Sequence, residues 1–143
     1  MAFTGRAVPA PLFYNWMNDR GQSKELKRIL SALSPLRLGV MPLESDIHAH
    51  VARALEEGGL AFTHEMRLDA HRRIDFLCEG VGIEIKKGRP QPAALKKQIA
   101  GYLQSPLLKE ILVITQRSVR LPDQIGDKRV CQLSLDRLWG IAL

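Results

Sequence analysis

Residues 73–88, with the sequence RIDFLCEGVGIEIKKG, are the stretch that most restricts how this chain can fold. Two short apolar runs flank Glu79-Gly80, and a polar residue followed by glycine is typical of the two-residue turn of a β-hairpin. The alternation of side chains along a strand predicts one apolar face on each strand. These faces are Ile74, Phe76 and Cys78 on the first strand, and Val81, Ile83 and Ile85 on the second.

The register of this hairpin brings like charges together. A two-residue turn pairs Cys78 with Val81, and counting outward then places Asp75 opposite Glu84 and, one step further along the same face, Arg73 opposite Lys86. Opposed Cβ atoms lie about 5 Å apart, and like charges at that distance destabilise a sheet. A three-residue loop would shift the register by one and remove this opposition.

A divalent cation explains the acidic pair, because two converging carboxylates form an oxygen site of the kind that Mg²⁺ prefers. Lys86 lies two residues after Glu84 on the same face, where its ammonium group can contact a scissile phosphate or help to activate a nucleophile. These groups together are suited to phosphodiester hydrolysis. The alternative is an exposed sheet face that carries ordinary surface charges.

The rest of the chain supplies helices and further strands. Ser23 is predicted to cap a helix with an apolar stripe, which Pro35 ends, and Pro90 and Pro92 open a later helix. The predicted elements are helices at 23–34, 42–57 and 90–104, strands at 61–68, 72–78, 81–87 and 110–115, a weaker strand at 130–133, and a short helix from 134. This order predicts an α/β fold with a mixed central sheet flanked by helices.

Composition narrows the class of protein. With 143 residues, one core suffices, and we expect an N-terminal arm and basic amphipathic helix over 1–41 followed by a domain over 42–143. The net charge of +6 favours a polyanionic partner. Two cysteines fit a reducing cytoplasm. The chain has neither an apolar run of roughly 18 residues nor an apolar signal-type segment, so we expect no membrane partner.

Asp75, eight intervening residues and then Glu84-Ile85-Lys86 resemble the D-x(n)-(D/E)-x-K signature of PD-(D/E)XK nucleases. The pattern is most similar to VRR-NUC and Holliday-junction-resolvase-like members, although Ile74 stands where the family name has proline. The resemblance implies a restriction-endonuclease-like core of helix, three-stranded meander, helix and strand. It also implies Mg²⁺, replaceable by Mn²⁺, held by Asp75, Glu84 and the Ile85 carbonyl, with Lys86 positioning or activating water.

Residues on two helices extend the resemblance. Glu44 resembles the helical acid that many members contribute to the metal site, although a carboxylate in a first turn is also favoured by the helix dipole. Gln98 and Tyr102 resemble the Q-x-x-x-Y motif of RecB-like nucleases and share one helix face. His48, one turn after Glu44, could reach the same cleft and is otherwise a solvated histidine. Glu65 alternates with apolar residues on its strand and is a further candidate for lining the site.

Lys and Arg contacts to phosphates supply most of the affinity for a nucleic acid that does not depend on sequence. Candidates are Arg72, Arg73, Lys87, Arg89, Lys96 and Lys97. We expect a structure-selective nuclease acting on DNA junctions, flaps or single strands, in phage or mobile-element metabolism, without an organic cofactor. We also expect a homodimer, with the apolar stripe of the first helix as one possible interface. The alternatives are a non-catalytic nucleic-acid-binding or interaction module with the same fold, and an RNA or small-molecule phosphodiesterase.

Overall fold

A computed structural model describes residues 22–36 and 44–135 of the chain. Its helices are α1 (Lys24–Leu33), α2 (Glu44–Glu57) and α3 (Pro92–Tyr102). Its strands are β1 (Thr63–Arg67), β2 (Arg73–Cys78), β3 (Val81–Lys86), β4 (Glu110–Thr115), β5 (Gln124–Ile125) and β6 (Lys128–Ser134). The predicted N-terminal arm and the body of the predicted closing helix lie outside the described residues.

The strands form one mixed sheet in the order β1-β2-β3-β4-β6-β5. The first three are an antiparallel meander, β4 and β6 continue the sheet in parallel, and β5 pairs antiparallel at the far edge. The predicted α/β class and the mixed sheet are therefore confirmed. The two-residue strand β5 was not predicted, because so short a run carries no alternation.

Helices cover the sheet on both faces. One apolar cluster joins α1 and α2 to inward side chains such as Phe76 and Ile83, and a second joins α3 to Ile111 and Val113. Strand β4 lies between the clusters, and all six of its residues are buried. The prediction of a strand covered on both faces is confirmed, since a strand buried on both sides is apolar throughout.

Helix α1 begins as the sequence predicts. The Ser23 side chain caps it by accepting a hydrogen bond from the Leu26 N–H at 3.0 Å. The apolar stripe of Leu26, Ile29, Leu30 and Leu33 has no exposed surface and belongs to the core of the chain itself. This stripe is therefore not an interface for a second copy, which corrects the expectation. The homodimer stays a prediction without an assigned surface.

The turn between β2 and β3 matches the predicted register. Cys78 pairs with Val81, and the residues of the turn have positive φ angles, 54° at Glu79 and 83° at Gly80. A type I′ turn requires positive φ at both central positions, and glycine adopts it without strain. The turn determines which residues of β3 lie beside Asp75, which stands three residues before Cys78 on β2.

Among the described residues, no helix is long and apolar enough to cross a bilayer.

Candidate active site

The strands β2 and β3 stop pairing through their backbones where the candidate acids begin. Their described pairing ends at Phe76 and Ile83. Beyond that point, backbone N–H groups bond to carboxylates of the neighbouring strand. The Asp75 N–H donates to Glu84 Oε1 at 3.3 Å, and the Ile85 N–H donates to Asp75 Oδ2 at 2.8 Å. The two acids thus come together as predicted, but by side-chain contacts and not as a backbone pair.

The face assignment of β2 is partly wrong. Phe76 and Cys78 pack in the cluster under α1 and α2, as one apolar face requires, whereas Ile74 packs in the cluster under α3. Regular alternation would place all three on one side. The strand therefore changes face at Asp75, which is the residue between the two sets.

Glu84 is a buried carboxylate with only 4% of its surface exposed. Burial in the first place, and then the neighbouring charge of Asp75, raise the pKa of Glu84 to about 7. Lys86 opposes this shift, since its Nζ atom lies 3.4 Å from Glu84 Oε2. A carboxylate held this way binds a proton or a cation far more readily than an exposed one.

Gln98 and Tyr102 form a hydrogen-bonded chain to the same carboxylate. Gln98 Nε2 donates to the Tyr102 hydroxyl at 2.9 Å, and that hydroxyl donates to Glu84 Oε2 at 3.1 Å. Burial, followed by the charge of Glu84, raises the pKa of Tyr102 and keeps it a donor. The pair predicted from helical spacing is thus brought to the site, where it orients Glu84.

His48 approaches Asp75 from α2, and His64 contacts His48 in turn. His48 Nε2, on α2, lies 3.6 Å from Asp75 Oδ2, and His48 Nδ1 lies 3.1 Å from His64 Nε2. The His64 ring stacks on Phe76 with centroids 4.6 Å apart. His48 therefore reaches the site, as the sequence suggested, and it is held there by an aromatic contact of β1.

Arg73 does not take its predicted place opposite Lys86. Its backbone pairs with Arg67 on β1, and its Nε atom lies 3.9 Å from Glu65 Oε1. The expected like-charge pair is therefore absent from the described backbone pairing. It fails because β2 and β3 have already separated at Asp75.

A cleft of ≈ 860 Å³ opens onto these groups. Its lining includes Asp75, Lys86, Gln98 and Tyr102 from the site, together with Glu65, His71, Arg72, Arg73 and Lys97. Arg72, Arg73 and Lys97 are thus brought to the cleft as nucleic-acid candidates. Lys87, Arg89 and Lys96 are exposed and are not among the lining residues.

Close packing against α3 sets the position of Arg72. Its Nη1 atom lies 3.1 Å from Asp69 Oδ2. A Cβ added at Gly101 would lie 2.5 Å from Arg72 Nε, so the guanidinium rests directly on the glycine. The absence of a side chain at 101 therefore leaves room for this arginine at the edge of the cleft.

The donor set fits a hard divalent cation. Asp75 and Glu84 present oxygens from adjoining strands, and Mg²⁺ in proteins is held by one or two carboxylates while it keeps several waters. Glu44 begins α2, but its side chain lies outside what the structure describes. Within the described ranges, no three His, Cys, Asp or Glu side chains converge as a closed metal centre. The role of the Ile85 carbonyl stays a prediction.

Two residues near the site, His64 and His71, were not predicted from the sequence. The sequence marks His64 only as a strand residue, because its contact with His48 depends on how α2 packs over β1. Glu65, a predicted candidate, lines the cleft, but nothing in the sequence marks its backbone conformation, which has φ of 57°. His71 lines the cleft. Its position beside Arg72 and Arg73 was a legible signal.

Comparison with protein-family models, with curated proteins and with solved structures found no match to this chain.

Proposed function

We propose that this protein is a Mg²⁺-dependent nuclease that hydrolyses phosphodiester bonds in DNA and selects its substrate by structure rather than by sequence. The observation that carries the proposal is the joining of Asp75 and Glu84, through reciprocal contacts between β2 and β3, with Lys86 beside them at the base of a basic cleft.

The buried acid favours a cation over an empty site. Glu84 is almost fully buried, and its pKa is raised first by that burial and then by Asp75. Carboxylates with pKa values perturbed in this way cluster at functional sites, and a bound cation would relieve the repulsion between Glu84 and Asp75. Mn²⁺ is expected to replace Mg²⁺, since both ions prefer carboxylate oxygens.

Asp75 and Glu84 would hold the cation, with Glu44 and the Ile85 carbonyl as predicted additions. A bound Mg²⁺ supplies Lewis-acid chemistry, which polarises a phosphoryl oxygen and stabilises developing negative charge. The Tyr102 hydroxyl holds Glu84 in one orientation, and Gln98 holds Tyr102. These two hydrogen bonds limit the movement of Glu84 as negative charge develops on the phosphate, which is the advantage of a preorganised site.

Lys86 has the position of the residue that acts on the substrate. Its side chain is 28% exposed, so it extends from the buried Glu84 toward the cleft. An ammonium group there stabilises the negative charge of the phosphate in the transition state and lowers the cost of deprotonating the attacking water.

The cleft explains how the backbone of the substrate is held. Arg72, Arg73 and Lys97 line it, and Lys and Arg contacts to phosphates supply affinity that does not depend on sequence. Charged contacts of this kind position a nucleic acid without reading its bases. We therefore propose recognition of a junction, a flap or a single strand.

The test is a cleavage panel. Linear duplex, single-stranded, flap and four-way-junction DNA, with an RNA strand of the same sequence, are incubated with Mg²⁺, with Mn²⁺ and with EDTA. We expect metal-dependent cleavage of at least one DNA form by the wild type and none by Glu84→Gln purified in the same way. Binding without cleavage by the wild type would instead support the non-catalytic module.

A further inference from the structure

Glu65 has a left-handed backbone in the middle of a strand. Among described residues other than glycine, positive φ occurs at two positions, Glu65 with 57° and Glu79 with 54°. Glu79 stands in the β2–β3 turn, where the turn type demands positive φ. Glu65 stands inside β1, where no turn requires it. Such a conformation is unfavourable for an L residue and persists only when its surroundings hold it.

The position of Glu65 in the sheet explains its left-handed backbone. The β1–β2 pairing has the same register before and after Glu65, with His64 opposite Phe76 and Met66 opposite Ile74. This register places Glu65 opposite Asp75, yet that position is missing from the described pairing. The gap therefore arises from a local change of backbone direction and not from an inserted residue.

Both strands change face at this one position. His64 stacks on Phe76 on the α2 side of the sheet. Met66 and Ile74 pack instead with the α3 cluster. A left-handed residue is the feature that lets β1 follow the change of β2, because it rotates the chain out of regular alternation.

The side chain of Glu65 does not account for its conformation. Its partner is Arg73, at 3.9 Å, and both side chains are more than half exposed. Exposed ion pairs of this kind contribute little to stability. The unusual backbone is therefore tied to the opening of the sheet beside Asp75 and not to a valuable ion pair.

We propose that Glu65 is a positioning residue whose left-handed backbone keeps the β1–β2 pairing open at Asp75, so that the Asp75 carboxylate is held against the Ile85 N–H. The inference rests on the proposed function, because it concerns the residue proposed to bind metal. It assigns the role to the backbone at 65, while the charge of the side chain is dispensable.

Paired substitutions test this. Glu65→Gly permits the left-handed backbone, whereas Glu65→Val disfavours it, and Glu65→Ala is an intermediate variant in case the valine variant does not fold. The same exchanges at Glu79, which has nearly the same φ at the opposite end of β2, are the matched controls. The measurements are Mn²⁺ affinity by calorimetry, Tm, and the cross-strand NOE between residue 65 and Asp75.

We expect Glu65→Gly to keep the wild-type Mn²⁺ affinity and to raise Tm by roughly 2–5 °C, because the strain is relieved. Glu65→Val should lower the affinity by roughly 10- to 100-fold, the scale seen for groups that orient metal ligands, with Glu65→Ala between the two. A cross-strand NOE should appear in the valine variant. The Glu79 variants should change Tm alone.

The outcomes separate the two ideas. Equal Mn²⁺ affinity in Glu65→Val and wild type, or an equal loss in Glu65→Gly and Glu65→Val, would overturn the positioning role. If the wild type binds no Mn²⁺, the proposed function fails. The NOE then decides the inference alone: its appearance in Glu65→Val supports the role of the backbone, and its absence contradicts it.

Discussion

The two ends of strand β2 are built in opposite ways. At the turn end, Cys78 pairs with Val81 through the backbone, both residues are fully buried, and burial raises the pKa of the Cys78 thiol to about 11. At the other end, Asp75 and Glu84 replace backbone partners with their carboxylates. Where the backbone pairing is interrupted, the main-chain N–H groups of Asp75 and Ile85 take the two carboxylates as partners, and this brings the acids together.

The largest effect should come from removing an acid at the interrupted end. Asp75→Asn should lower the rate of cleavage by about 10³-fold or more, because a neutral amide supports neither the cation nor the charge it stabilises. Single-turnover rates on the best substrate of the panel measure this. Glu79→Gln, at the regular end, should cleave at the wild-type rate. Similar losses in both variants would remove the distinction between the ends.

The pH dependence should also belong to the interrupted end. Since the pKa of Glu84 is raised to about 7, a proton must leave before a cation binds, and Mg²⁺ affinity should fall about tenfold per pH unit below that value. Calorimetric titrations with Mg²⁺ at several values between about pH 5 and about pH 8 measure this affinity. An affinity independent of pH over this range would contradict the buried, proton-binding character of Glu84.

The raised pKa of Glu84 also makes the stability of the folded protein depend on pH. The folded state holds the Glu84 proton more tightly than the unfolded state, so the metal-free protein should lose stability as the pH rises from 4.5, the ordinary pKa of a glutamate side chain, through about 7. Thermal denaturation in EDTA measures this, and added Mg²⁺ should restore stability at the upper end. Glu84→Gln should flatten the profile; an unchanged profile in that variant would assign the titration to another group.

A moderate effect is expected from the walls of the cleft. Arg73→Ala and Lys97→Ala should each weaken DNA binding and reduce the slope of log affinity against log salt by about 1, as expected for the loss of one phosphate contact. Lys24→Ala, at an exposed residue of α1 that does not line the cleft, is the control and should leave the slope unchanged. A loss shared by all three variants would show that binding follows net charge and not the cleft.

The smallest effect concerns Gly101. A methyl group there would lie 2.5 Å from Arg72 Nε, so Gly101→Ala should displace the arginine and weaken DNA binding by roughly threefold. Stability should not fall, because alanine is favoured over glycine inside a helix. Fluorescence anisotropy and Tm measure the two effects. Unchanged binding would mean that Arg72 does not contact the substrate.

The regular elements of this molecule could be predicted from the sequence. β4 has the predicted bounds, because a continuous apolar run of strand length has few alternatives. The turn and the first pairs of the meander also agree, since positive φ at Gly80 and a two-residue loop determine the register together. Ser23 likewise begins α1 through a local hydrogen bond.

The irregular parts were not predictable, for a physical reason. Alternation assumes a regular strand, so the change of face at Asp75 and the left-handed Glu65 leave no periodic signal. The contact between His48 and His64 depends on packing between elements that are distant in sequence. The proximity of Asp75, Glu84 and Lys86 was predicted from spacing, but the contacts that join them were not.

The most direct test of the account separates metal binding from catalysis at Lys86. Mn²⁺ affinity and single-turnover cleavage are measured on the same preparations of the wild type and Lys86→Met. Because Lys86 lies beside Glu84 without being a metal ligand, the variant should bind Mn²⁺ at least as tightly as the wild type and cleave roughly 10²- to 10³-fold more slowly. Cleavage by Lys86→Met at the wild-type rate would contradict the assignment of this site as a nuclease centre.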